Sequence, residues 1–110
     1  MKILIKEENG FMPTTRINIH EDKIEVEENN KIRVLKYNKY QIKDMMVYLL
    51  DLFKGWKNKY VDEKIIDDEI YTITIVTTVN KEFYIKNKYP NNWNKFIEFR
   101  NKLVRETLNV

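Results

Sequence analysis

The amino-acid sequence predicts an α+β fold, a mostly antiparallel sheet with two helices packed on one of its faces. Three observations support this prediction. Apolar residues alternate with polar ones through the first third of the chain, their spacing then becomes helical twice, and two more alternating runs lie between the helical segments. The predicted order is ββββ-α-ββ-α, and runs of strands separated by single helices are typical of this class. We expect one domain over residues 1–110, which is an ordinary domain length.

Four strands are predicted in the first third of the chain, each marked by a pair of apolar residues two positions apart. The pairs are Ile3 and Ile5, Ile17 and Ile19, Ile24 and Val26, and Ile32 and Val34. Asn9-Gly10 and Asn29-Asn30 supply residues that tolerate the positive φ of a tight hairpin. Because strand side chains alternate between faces, we expect one face to pack and the other to meet water.

Helical spacing of apolar residues predicts α-helices over about 41–57 and 92–108. Gly55 lies near the end of the first helix. The segment 89–92 favours the start of the second, since Asn accepts free amide hydrogens and Pro suits an early helical position. Between the helices, alternating runs at 71–75 and 83–85 predict two strands. Trp56 and Trp93 lie on the apolar stripes, and we expect both to be largely buried.

The composition excludes most catalytic chemistry. The chain has no Ser, no Cys and a single histidine, His20, whose neighbours Glu21 and Asp22 indicate a turn. Ser-His-acid catalysis, thiol catalysis and structural zinc therefore lack their residues. Two glycines, Gly10 and Gly55, cannot form a glycine-rich phosphate loop. We expect a protein without enzymatic activity, cofactor or metal, which acts by binding another macromolecule.

No long apolar run is present. The first apolar residues are followed at once by Lys6-Glu7-Glu8, and no stretch approaches the roughly 18 residues of a membrane span. We therefore expect no signal peptide, no membrane contact and a cytoplasmic location.

Two charged regions are candidate binding sites. The net charge is only +3, but residues 81–110 hold seven basic and three acidic side chains. The basic candidates on and before the last helix are Lys88, Lys95, Lys102 and Arg105. Such a stripe suits phosphate or an acidic protein surface, with Tyr84, Tyr89 and Trp93 near enough to stack on bases. The alternative is a solvated helix face above core aromatic residues.

The second charged region is acidic. It consists of Asp62, Glu63, Asp67, Asp68 and Glu69, interrupted by a single lysine. Carboxylates in a loop can hold a hard cation, but the regular oxygen spacing and sharp glycine of a calcium loop are missing. A solvated loop or a contact with a partner protein is the simpler interpretation.

The segment 45–104 resembles small proteins of Gram-positive bacteria and their mobile elements. In that pattern a helix ending in Trp and Tyr leads to an Asp-Gly turn, an aromatic-led strand, a second strand and a Gly-x-Asn-x-Tyr-Pro-x-Asn-Trp helix start. The matching residues are Trp56, Tyr60, Asp67, Tyr71, Asn87, Tyr89, Pro90, Asn92 and Trp93. Asp68 and Ile85 replace the two glycines of the pattern, which puts the corresponding turns in question.

A shorter stretch is similar to a phage-encoded anti-CRISPR protein that inhibits Cas9. The shared residues are Phe53-Lys54-Gly55-Trp56, Tyr60, Asp62-Glu63 and Thr72-Ile73-Thr74. The inhibitor presents an acidic surface, whereas this chain is net basic. The resemblance implies a phage or mobile-element inhibitor of a host protein or nucleoprotein. The other hypothesis is a nucleic-acid-binding module that uses the basic last helix.

Overall fold

The computed structural model describes residues 1–65 and 69–108, which form one sheet and two helices. The strands are β1 (Lys2–Asn9), β2 (Met12–Ile19), β3 (Ile24–Glu28), β4 (Lys31–Leu35), β5 (Lys59–Val61), β6 (Glu69–Val76) and β7 (Asn80–Lys86). The helices are α1 (Lys39–Phe53), between β4 and β5, and α2 (Trp93–Leu108), after β7. No helix in the described part of the chain is long and apolar enough to cross a membrane.

The sheet has the order β4-β3-β2-β1-β6-β7-β5 within the described residues. Five of its neighbouring pairs are antiparallel, and β5 pairs with β7 in parallel. The α+β class is confirmed, but the sheet is mixed and the order is ββββ-α-βββ-α. Sequence reasoning missed β5 because this strand has only three residues and no repeated alternation.

The core lies between one face of the sheet and both helices. Across the central strands, Ile3 pairs with Ile19 and Ile75, and all three side chains are at most 9% exposed. Aromatic side chains from the helices, their connecting loops and β7 complete this core. Trp56 and Trp93 are 8% and 9% exposed, so their predicted burial is confirmed.

Helix α1 begins and ends earlier than the predicted 41–57. The Asn38 side chain accepts hydrogen bonds from the amides of Tyr40 and Gln41, and the Gln41 side chain bonds back to the Asn38 amide. This capping box fixes the start of the helix. Helical geometry stops at Phe53, and Gly55 then takes a φ of +79°, which reverses the chain at little steric cost to a glycine. Trp56 therefore enters the core from a turn.

The inward-facing residues of β4 differ from the sequence prediction. Ile32 and Val34 pair with Glu27 and Glu25 of β3, so they share the uncovered face and are 62% and 60% exposed. Leu35 pairs with Ile24 and is the buried residue of this strand. The prediction was wrong because the pairing register of an edge strand decides which of its two faces meets the core, and alternation alone does not.

Helix α2 starts close to its predicted position, but the Asn92 side chain serves another purpose. Its Oδ1 accepts a hydrogen bond from Trp56 Nε1 at 2.7 Å, and its Nδ2 donates to the Leu52 carbonyl at 2.8 Å. Asn92 thus provides a hydrogen-bond partner both for a carbonyl in the last turn of α1 and for the indole nitrogen of Trp56. The two helix ends are thereby held side by side.

Candidate functional site

The predicted basic residues do not form a single stripe. Lys95, Lys102 and Arg105 are exposed on the outer surface of α2, and no ion pair within 4.0 Å is found for them among the described residues. Glu98 is exposed on the same stretch of helix, at i+3 from Lys95 and i−4 from Lys102, and offsets part of their charge. Lys88 lies elsewhere, in the loop before α2.

The acidic region is only partly described. Asp62 is half-buried, and its carboxylate accepts a hydrogen bond from the Lys64 amide at 3.0 Å, which forms a local turn. Glu63 is exposed, and Glu69 accepts a hydrogen bond from the Tyr71 hydroxyl. Asp67 and Asp68 lie outside the described residues. Two of the three described carboxylates therefore have local structural partners.

No group of three or more His, Cys, Asp or Glu side chains is placed to hold a metal ion within residues 1–65 and 69–108. His20 Nε2 lies 2.8 Å from Glu25 Oε1, and Lys23 Nζ lies 3.7 Å from the same oxygen. Glu25 thus contacts both His20 and Lys23 at the turn between β2 and β3.

Helix α1 leaves large apolar side chains in solvent, a feature that the sequence analysis did not identify. Tyr40 is 70% exposed and Val47 is 59% exposed. They are seven residues apart, about two helical turns, so they share one line along the helix. The buried stripe of Ile42, Met46 and Leu49 lies on another side. Helix α1 is therefore apolar over a wider arc than the core requires.

These side chains border a groove, which we call the α1 groove. Its volume is about 440 Å³, and its lining residues are Met1, Glu21, Lys39, Tyr40, Lys43, Met46, Val47 and Leu50. At one end the N-terminal ammonium donates a hydrogen bond of 2.6 Å to Glu21, and this bond together with the positive charge lowers the pKa of the Glu21 carboxyl. The floor and walls are mainly apolar, and the charges lie at the rim.

A second concavity, here called the lysine cleft, lies where the ends of α1 and β7 approach the start of α2. Its volume is about 590 Å³, and its lining residues are Lys54, Gly55, Trp56, Lys57, Tyr60, Lys88, Tyr89, Pro90, Asn91 and Asn92. Three of these residues are lysines and none is acidic. The Tyr60 hydroxyl accepts a hydrogen bond from the Lys57 amide at 2.9 Å, which fixes that loop.

Trp56 and Tyr89, two residues of the resemblance, line this cleft and contact buried aromatic side chains behind it. Trp56 and Trp93 have ring centroids 6.0 Å apart, Tyr71 meets Trp93 edge-on at 4.9 Å, and Tyr89 stacks on Trp93 at 5.2 Å. Ile85, which stands at the second glycine of the pattern, is buried inside β7, and Asn87 takes a φ of +61° just after that strand. Trp56, Tyr71 and the Tyr89–Trp93 pair are separated in sequence, so only the fold shows that they form one cluster.

No protein-family model matches the chain, and neither a curated protein nor a solved structure matches it.

Proposed function

We propose that this protein is a small non-enzymatic binding protein that docks on another protein, or on the protein part of a nucleoprotein, through the α1 groove. The observation that carries the proposal is the exposure of Tyr40 and Val47 beside an apolar concavity. Charged residues were the candidates from sequence, because apolar side chains at helical spacing are expected in the core. The structure instead leaves Tyr40 and Val47 of α1 exposed.

The chemistry of the groove favours a protein partner. Protein interfaces combine an apolar centre, rich in Tyr and Met, with a polar rim. Here Tyr40, Val47 and two methionines provide the centre. Lys39 and Lys43 lie on one side of the line that joins Tyr40 and Val47 along α1, and Asp44 is exposed on the other side. Burying the exposed part of Val47 contributes on the order of 1 kcal/mol, and the tyrosine ring contributes more.

The biological role within this proposal is that of a cytoplasmic inhibitor from a phage or other mobile element. The absence of Ser and Cys from the sequence and its single histidine support a protein that acts by occupying its target. The similarity of residues 53–56, 60, 62–63 and 72–74 to an anti-CRISPR protein makes an RNA-guided nuclease the first target to assay. Inhibition would then require only that docking blocks a functional surface of the host protein.

The test is capture of a partner from host lysate by immobilised protein, with substitution of the groove residues. Val47→Glu and Tyr40→Glu place a carboxylate in the apolar centre, and we expect each to reduce the captured partner at least tenfold. Val79→Glu is the matched control, because Val79 is 74% exposed in the turn between β6 and β7. Equal loss in the control, or full retention by both groove variants, would contradict the proposal.

A second candidate function is nucleic-acid binding through the outer surface of α2. The observation in its favour is the exposure of Lys95, Lys102 and Arg105, and Glu98 among them weakens it. Lysate treated with nuclease separates the two functions. Capture that survives nuclease and the Lys95→Glu/Lys102→Glu/Arg105→Glu variant supports the α1 groove. Capture that both treatments abolish supports α2.

A further inference from the structure

The lysine cleft has the chemistry of a site for single-stranded nucleic acid. We propose that it binds the phosphodiester backbone of one strand through Lys54, Lys57 and Lys88. The bases of the strand would pack against the aromatic wall of the cleft, formed by Tyr60 and Tyr89. This inference goes beyond the proposed function, since it concerns a different surface and does not require the α1 groove.

The charge of the cleft selects an anion. Its three lysines come from two loops that flank the concavity, and the cleft lining contains no carboxylate. Lys54 Nζ lies 3.4 Å from Asp51, but both side chains are more than 70% exposed. Such surface pairs contribute at most about 1 kcal/mol, so phosphate can replace Asp51 as the partner of Lys54. No ion pair within 4.0 Å is found for Lys57 or Lys88 in the described part of the chain.

The aromatic wall selects flat groups next to that anion. Tyr60 and Tyr89 line the concavity beside the buried Trp56, and Tyr89 is 39% exposed while its ring stacks on Trp93. A tyrosine fixed by the indole beneath it loses little further freedom when a base packs against it. Positive grooves with aromatic side chains are the usual means of holding unpaired bases.

A strand fits better than a duplex or a free nucleotide. In a duplex the bases are stacked on each other, so the aromatic wall would have no partner. A free nucleotide concentrates its charge at one terminal phosphate, whereas these lysines are divided between two loops. The volume of about 590 Å³ lies within the roughly 300–1,000 Å³ of ligand sites and accommodates one or two nucleotides of a strand.

The experiment measures fluorescence anisotropy of labelled 12-nucleotide dT and rU strands with the full chain. We expect Lys54→Glu/Lys57→Glu/Lys88→Glu to weaken binding of the preferred strand at least tenfold at low salt. Each phosphate contact on a single strand contributes about 0.7 to the salt slope, so losing three contacts reduces the slope by about 2. Tyr89→Leu should weaken binding several-fold and leave the slope unchanged.

The matched control is Lys2→Glu/Lys31→Glu/Lys36→Glu, which changes the net charge equally at exposed positions outside the cleft. Retention of binding by this control and by Val47→Glu supports the cleft as an independent site. Equal loss in both triple variants, undetectable binding by the wild type at about 100 µM, or equal affinity for a 12-base-pair duplex would each overturn the inference. Circular dichroism of each variant establishes that it is folded.

Discussion

At the scale of single residues, two tyrosine hydroxyls are tied to carboxylates. Tyr37, just before α1, donates a hydrogen bond to Glu106 near the end of α2. Tyr71 of β6 donates to Glu69 of the same strand at 2.5 Å. Burial and then the hydrogen bond raise the pKa of Tyr37 to about 12, and burial is also the largest cause of the raised pKa of Tyr71. Both hydroxyls therefore remain protonated in the folded protein at pH values where a free tyrosine ionises.

These shifts predict a loss of stability at alkaline pH. A raised pKa in the folded state stabilises the protein fully below the unfolded value of about 10, and the contribution is lost as the pH rises through the folded value. We expect the stability advantage of the wild type over Tyr37→Phe to shrink between pH 9 and 12. Urea midpoints measured across this range test it. The substitution removes no ionisable group other than Tyr37, so a difference that stays constant with pH would contradict the prediction.

Single residues also show what pattern reasoning can and cannot detect. The indole of Trp56 was predicted to be buried because it continues an apolar periodicity, and it is. Its hydrogen bond to Asn92 was not predictable, since the two residues are 36 positions apart. Sequence position suggested that Asn92 would cap α2, whereas the fold brings Trp56 and the carbonyl of Leu52 within its reach.

At the scale of elements, a partly buried ion pair joins α2 to the sheet. Arg100 donates from Nη2 and Nε to Glu7 Oε2 on β1, at 2.7 and 2.8 Å. Glu7 lies opposite Tyr71 of β6, on the face covered by the helices. The pairing with Glu7 explains how a charged side chain is accommodated on the side of α2 that faces the sheet.

Removing one member of this pair should cost more than removing both. Glu7→Leu leaves Arg100 without its partner, and Arg100→Met leaves Glu7 without its partner. Each remaining charged side chain is at most a fifth exposed, so we expect each single variant to be destabilised by about 1–3 kcal/mol. The double variant replaces the pair with apolar groups, and we expect it to be less destabilised than the sum of the single variants. A double-mutant cycle from urea unfolding measures this coupling. Strict additivity would show that the pair contributes no interaction energy.

The existence of the elements was largely predictable, while their ends and pairing were not. Helical periodicity predicted both helices, and short alternating runs predicted six strands. The end of α1 depends on Gly55 and the packing of Trp56, and the exposed set in β4 depends on its register with β3. The strand β5 is formed by pairing with β7, an interaction that a three-residue segment does not reveal.

At the scale of the whole molecule, the fold has two layers, and its outer surfaces remain available to partners. Both helices cover one face of the sheet, so their outer sides and the other sheet face meet solvent. The acidic and basic candidate residues could be identified from the distribution of charged residues along the sequence. The α1 groove could not be identified in this way. Tyr40 and Val47 are apolar like the buried residues of α1, and only the packing of the helix on the sheet decides which of them is exposed. The lysine cleft likewise depends on two loops meeting in space.

The central claim, that α1 provides the protein contact, is tested most directly by photo-crosslinking from defined positions. A benzophenone amino acid replaces Val47, Lys102 or Val79 in the full chain, and each protein is irradiated in nuclease-treated host lysate. We predict one discrete crosslinked protein from position 47 and no discrete product from position 102 or position 79. A product from position 102 alone, or the same products from all three positions, would contradict the claim.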